Sequence, residues 1–186
     1  ASKNPQEKID DLITTDEDGS RILGAVDIYG LMFHGPRFQP LKGVVATIET
    51  TSGTGIEARV NSIQDLPDPR LFNIRGKAII PDLTSYPMLI ESCFQAAGLT
   101  SMDLDSAESL PVGAKRILIA GEIPEGSLTV TSVRKGSETN GTFVHESVIR
   151  LDGSPIMRID GLKMKKLRDL NDDQRPGLAE YSGELT

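Results

Sequence analysis

YPMLIESCFQAAGL, residues 86–99, places Leu89, Ile90, Cys93, Phe94 and Ala97 at the i, i+3, i+4 and i+7 intervals of a helix with one apolar face. Pro87 suits a first turn, Gly98 suits a C-terminal stop, and Ser85 or Thr84 suits a cap. The spacing predicts a single helix over about residues 87–97. Its apolar face has to be covered by something, and the surrounding sequence supplies strands rather than further helices.

The stretches RILGAVDIYG, GVVATIET, IEARVNSI, AKRILIAG, SLTVTSVR, TFVHESVIRL and PIMRIDGLKMKKL are rich in Val, Ile and Thr. They often alternate apolar with polar residues and are divided by Gly, Pro, Asp or Ser. Ser52-Gly53-Thr54-Gly55 and Asp152-Gly153-Ser154 suit tight hairpins, because glycine accepts positive φ without a steric penalty. One helix among six or seven antiparallel strands is best satisfied when the sheet wraps around the helix, an α+β hot-dog arrangement.

With 186 residues, 38% hydrophobic and 25% charged, the chain has material for one packed domain. Residues 1–20 are polar and acidic and read as a linker or excised edge, residues 21–168 as the working domain, and residues 169–186 as a polar, loosely held tail. No run approaches the roughly 20 apolar residues of a membrane span, and no signal-peptide layout opens the chain, so the expected location is cytoplasmic. A lone Cys93 and two histidines offer no metal cluster and no internal disulfide. A net charge of −7, with five Phe, three Tyr and no Trp, disfavours nucleic acid as a partner.

Three stretches, in order, resemble the C-terminal half of the double-hot-dog dehydratase domains of polyketide and polyunsaturated-fatty-acid synthases. They are LMFHGPRFQPLKGV at 31–44, YPMLIESCFQAAGL at 86–99 and IRLDGSPIMRIDGLKMKKL at 149–167. That family shows a Tyr-Gly-Pro-x-Phe-Gln segment, a His-Pro-x-Leu-Leu-Asp-x-x-x-Gln helix start and a closing strand with a D-x-x-G turn. The catalytic aspartate of the family falls on Glu91, its tyrosine before Gly-Pro on His34, and its histidine before Pro on Tyr86. The family's first half carries a catalytic histidine in an H-x-x-x-G-x-x-x-x-P motif, and neither His34 nor His145 is followed by that spacing.

The resemblance implies dehydration of a 3-hydroxyacyl thioester carried on the phosphopantetheine arm of an acyl carrier protein, with no further cofactor. Such a reaction needs a base for the α-proton and an acid for the departing hydroxyl. Glu91 is the candidate acid, Gln95 one turn later would position the hydroxyl or orient the carboxyl, and His34 would contact substrate or serve as a base. Gly35, Pro36, Phe38 and Met88 would line the substrate's path. Donation from Glu91 near neutral pH requires a pKa raised by apolar neighbours against the helix N-terminal dipole. On spacing alone, Glu91 and Gln95 are equally the solvent face of an amphipathic helix. His145, in mid-strand, and Cys93, on the apolar helix face, read as structural.

Lys163, Lys165, Lys166 and Arg168 form a basic run that reads as a solvated strand end or as a docking patch for the acyl carrier protein. A second hot-dog domain, as a homodimer or a linked half, is the expected neighbour. The competing functions are a non-catalytic acyl-chain-binding module and an acyl thioesterase.

Overall fold

A computed structural model describes residues 23–61, 82–120 and 126–178. The expected linker at 1–20 lies outside the described residues. In chain order the elements are β1 (Leu23–Gly24), α1 (Ala25–Leu31), a 3-10 turn (Pro36–Phe38), β2 (Leu41–Thr50) and β3 (Gly53–Val60), then α2 (Asp82–Asp105). After the helix come β4 (Ala107–Gly113), β5 (Arg116–Ile119), β6 (Leu128–Glu138), β7 (Thr142–Leu151) and β8 (Ser154–Asp169), with a last 3-10 turn at Asp172–Gln174. The strands make one antiparallel sheet in the order β1-β2-β3-β6-β7-β8-β4, and β5 continues the β4 edge along β8. The sheet curls around α2, which is the hot-dog arrangement.

α2 is far longer than the periodicity indicates. Pro87 lies within it, and it continues past Gly98 because Leu99 and Met102 are buried against the sheet. Burying a leucine is worth about 1.5–3 kcal/mol, more than the roughly 1 kcal/mol that a helical glycine costs. Leu89, Cys93, Ala96, Ala97 and Leu99 are all fully enclosed, in one core with Ile56, Ala58, Val130, Ile149 and Leu162. Burial pushes the Cys93 thiol pKa well up.

Two other expectations change. RILGAVDIYG, read as a strand, gives only the two-residue β1 before turning into α1, where Asp27 accepts the Gly24 N–H at 2.9 Å and caps the helix. Conversely, β4 carries Pro111 and escapes a strand reading, but it lies at the sheet edge, where a missing N–H is tolerated.

The glycines of the two expected hairpins differ in purpose. Asp152 and Gly153 have φ of 48° and 81°, the paired positive values of a two-residue turn between Leu151 and Ser154. Gly55 instead lets β3 approach β6, since a Cβ there would fall 1.9 Å from the Ser132 carbonyl oxygen. The curl of β8 comes from Asp160 and Gly161, which stand opposite Glu146 alone, with Gly161 at φ 59°. Beyond β8, Leu170 and Leu178 are buried and the Leu178 N–H donates to Asp103 at 2.8 Å, so the chain is held as far as residue 178.

His145 is fully buried on β7, its Nε2 3.2 Å from the Ser101 hydroxyl of α2. Burial first, and the nearby Arg134 cation second, hold its pKa down to about 3. The unfolded chain takes up this proton near pH 6.5 while the folded chain refuses it down to about 3. Stability is therefore present above pH 6.5 and falls, by roughly 1 kcal/mol per pH unit, as pH drops through that window. Urea titrations of wild type and His145→Gln between pH 7 and 5 check this. The wild-type slope should flatten in the variant, and identical slopes would refute the assignment.

Candidate functional site

Gln95 sits on α2 with only 1% of its surface exposed, so its amide must find partners within the protein. Its Oε1 accepts from the Tyr29 hydroxyl at 3.0 Å, and its Nε2 donates to the Phe38 carbonyl at 2.8 Å and to Glu91 Oε1 at 2.9 Å. The Tyr29 oxygen in turn accepts the Leu41 N–H at 2.7 Å. One buried amide thus ties α1, the 3-10 turn and the start of β2 to the helix.

Glu91 lies one turn earlier, and its Oε1 is also 3.0 Å from His34 Nε2. Burial is the largest single influence on the carboxyl and raises its pKa. The hydrogen bonds from His34 and Gln95 and the His34 charge together outweigh it, and the pKa ends lower than that of an ordinary glutamate. With the helix beginning at Asp82, Glu91 is beyond the first turn, where the helix dipole has faded. Glu91 is therefore ionised at neutral pH. For Tyr29 the dominant effect is burial, partly offset by the Leu41 N–H and reinforced by the Glu91 charge, and its phenol is held neutral.

His34 is fixed from three sides. Its carbonyl accepts from Gln39 Nε2 at 3.0 Å, its ring stacks on Phe33 with centroids 4.5 Å apart, and its Nε2 meets Glu91. The Nδ1 atom is buried without a partner among the described residues.

These groups stand at one end of a cavity of about 370 Å³. Phe94, Gly98, Met102 and Met164 contribute apolar lining, and Ser109, Leu110 and Pro111 of β4 line it as well. Both hydrogen bonds to Glu91 fall on Oε1, which leaves Oε2 available to the cavity. The arrangement offers an anionic carboxylate and an imidazole side by side at the mouth of an apolar slot, suited to moving a proton on a largely apolar ligand.

Of the residues singled out in the sequence, Glu91, Gln95, His34, Gly35 and Phe38 line this one cavity. Pro36 opens the 3-10 turn without lining it, and Met88 is buried in the core instead. Tyr29 was not anticipated; the signal for it was the Gly24-x-x-Asp27 helix start, which places it on α1 rather than in a strand. In the basic run Lys163 pairs with Glu138, Lys166 with Asp169 and Arg168 with Glu108, while Lys165 donates to the Asn140 carbonyl and keeps its charge uncompensated by that contact.

Comparison with known proteins gives a family match over residues 29–174, to the model described as the polyketide synthase dehydratase N-terminal domain. No curated protein matches the chain. Among solved structures, it is similar to the dehydratase domain of PpsC from Mycobacterium tuberculosis in complex with C12:1-CoA, at 21% identity and TM-score 0.52 over 83% of this chain and 56% of that one. It is also similar to the dehydratase domain of RzxB from Pseudomonas fluorescens (19%, TM-score 0.51, 83% and 54%) and to that from the CurJ module of the curacin polyketide synthase (16%, TM-score 0.53, 84% and 55%). The chain spans little more than half the length of the dehydratase domains it matches.

Two of the influences that hold the Glu91 pKa down come from His34, while burial acts in the opposite sense. His34→Ala should therefore raise the Glu91 titration midpoint, read from its carboxyl carbon by NMR as pH is varied. An unchanged midpoint would show that the contact does not govern the carboxylate.

Proposed function

The chain belongs to the polyketide synthase dehydratase family, and on that premise we propose that it is the carboxylate-bearing half of a 3-hydroxyacyl-thioester dehydratase. The observation that carries the reading is the Glu91–His34 contact at the mouth of an apolar cavity. The matched model bears the name of the N-terminal domain. Assignment to the other half is supported by the Glu91-to-Gln95 arrangement on α2, and by the absence of an H-x-x-x-G-x-x-x-x-P spacing after either histidine.

In the proposed reaction the acyl chain lies along the Phe94–Met164 lining, with its hydroxyl beside Glu91 Oε2. A base on the companion half removes the α-proton, the Cα–H electrons form the new C=C bond, and the C–O bond breaks. The hydroxyl departs as water with a proton supplied by the His34–Glu91 pair. With Glu91 ionised, the proton reaches the hydroxyl across the His34 Nε2–Glu91 Oε1 contact. Regeneration of the pair uses the α-proton released on the other side.

The ionised Glu91 also favours a second reading, hydrolysis of an acyl thioester, since a carboxylate in that state can deprotonate water. Release of free thiol from an acyl-CoA, with no hydration of an enoyl thioester, would select hydrolysis. The purely binding alternative predicts neither.

The companion is proposed to be another hot-dog domain, because the matched dehydratase domains are almost twice as long as this chain. The β4–β5 edge is the surface offered: among the described residues β4 ends the sheet and β5 pairs with β8 alone, and Val112, Ile117 and Ile119 are exposed there. An acyl carrier protein is proposed to deliver the substrate. The basic run at the end of β8, whose Lys165 is held by a neutral carbonyl, is the docking patch considered for it.

Two outcomes are expected. In the complete two-half enzyme Glu91→Gln should keep the fold and lower dehydration about 10²- to 10⁴-fold; the isolated chain should show little activity, and any trace should vanish in His34→Ala. Robust turnover by the isolated chain that survives His34→Ala would overturn the division of labour. In sedimentation the chain should dimerise or bind its companion half, and Val112→Asp with Ile117→Asp should abolish that association. A chain that remains a monomer and ignores the companion would refute the pairing.

A further inference from the structure

The two ends of the Gln95 amide are chemically opposite, and only one end helps an anion. With Nε2 toward Glu91, its two protons go to the Glu91 carboxylate and the Phe38 carbonyl, both acceptors. Turned over, the amide would set Oε1 against those same two acceptors, oxygen facing oxygen in a water-poor site. Nothing within Gln95 itself prefers one orientation. The Glu91 and Phe38 acceptors favour the N–H orientation at one end, and the group at the amide's other end can reinforce or oppose it.

That group is the Tyr29 hydroxyl. It has one proton and already accepts the Leu41 N–H, so its proton is free to be donated and goes to Gln95 Oε1. We propose that Tyr29 is a positioning residue for Glu91, acting through Gln95: its hydroxyl fixes the amide so that the N–H end meets the carboxylate. The proposal rests on the reading of Glu91 as the reacting carboxylate. It adds that the polarity of the site is set by the backbone of β2 and passed on in one direction, from Leu41 N–H to the Tyr29 hydroxyl to Gln95 to Glu91.

Tyr29 touches no part of the cavity, which its neighbours line. Its burial keeps the phenol neutral, so it serves as a donor across the whole working pH range. Among the described residues, the other ionisable groups lining the cavity with Glu91 are His34, from the segment before the 3-10 turn, and Glu108 on β4, which pairs with Arg168. Neither contacts Gln95 by a hydrogen bond, so the effect of Tyr29 can be separated from theirs.

Tyr29→Phe deletes the hydroxyl and keeps the ring. The amide then loses its anchor, the Nε2–H bond to Glu91 weakens, and the Glu91 midpoint moves up, as seen in a carboxyl-carbon NMR titration of the 186-residue chain. Gln95→Leu should raise the midpoint too, and adding Tyr29→Phe to Gln95→Leu should move it no further. In the complete two-half enzyme Tyr29→Phe should lower kcat roughly ten- to a hundred-fold with KM little changed. An unmoved Glu91 midpoint in folded Tyr29→Phe would overturn the proposal, as would an equal shift in the Gln95→Leu background.

Failure of the proposed function has a different signature. If the complete enzyme never dehydrates a 3-hydroxyacyl thioester, the reading of the reaction fails, while the titrations still decide the role of Tyr29. Should Tyr29→Phe not fold, the wild-type chain decides. The Gln95 side-chain amide protons should exchange slowly with solvent and show Overhauser contacts to Glu91; contacts to the Tyr29 ring in their place would mean the amide is reversed and the proposal wrong.

Discussion

α2 is buried around most of its circumference, and a single sheet does most of the covering. A flat sheet touches a helix along one line, whereas a curled one reaches Leu89, Cys93, Ala96 and Leu99 from several strands at once. The bulge at Asp160 and Gly161, the register shifts in β2 and the glycine approaches of β3 to β6 are the local means of curling it. The cavity forms where residues 31–38 meet α2, β4 and β8.

The chemistry of the site is a contest between desolvation and hydrogen bonding. Enclosing Glu91 in apolar surroundings would by itself favour the protonated form, as in an enzyme that stores its acid on a carboxyl. Here the imidazole and the amide reverse that outcome.

Much of the fold was legible because burial imposes periods. Leu89, Cys93 and Phe94 announced the helix, and the β-branched runs announced most strands. The failures came where local signals and tertiary context disagree. Gly98 and Pro87 are helix boundaries by propensity, but enclosure of Leu99 and Met102 overrides them. Val26, Ile28 and Tyr29 look like strand, yet one capping aspartate turns them into α1. In the site, Glu91, Gln95 and His34 could be picked out through motif resemblance. The direction of the Glu91 shift could not, since it depends on a ring brought in from more than fifty residues away in sequence.

The single cysteine of the chain has a practical consequence. Cys93 is wholly enclosed between α2 and the sheet, and its thiol is held protonated, so it is closed to electrophiles as long as that interface stays shut. Alkylation of this protein therefore reports one event, the parting of helix from sheet. A thiol reagent of moderate reactivity becomes a clock for core opening, with no engineered label and no competing site to subtract.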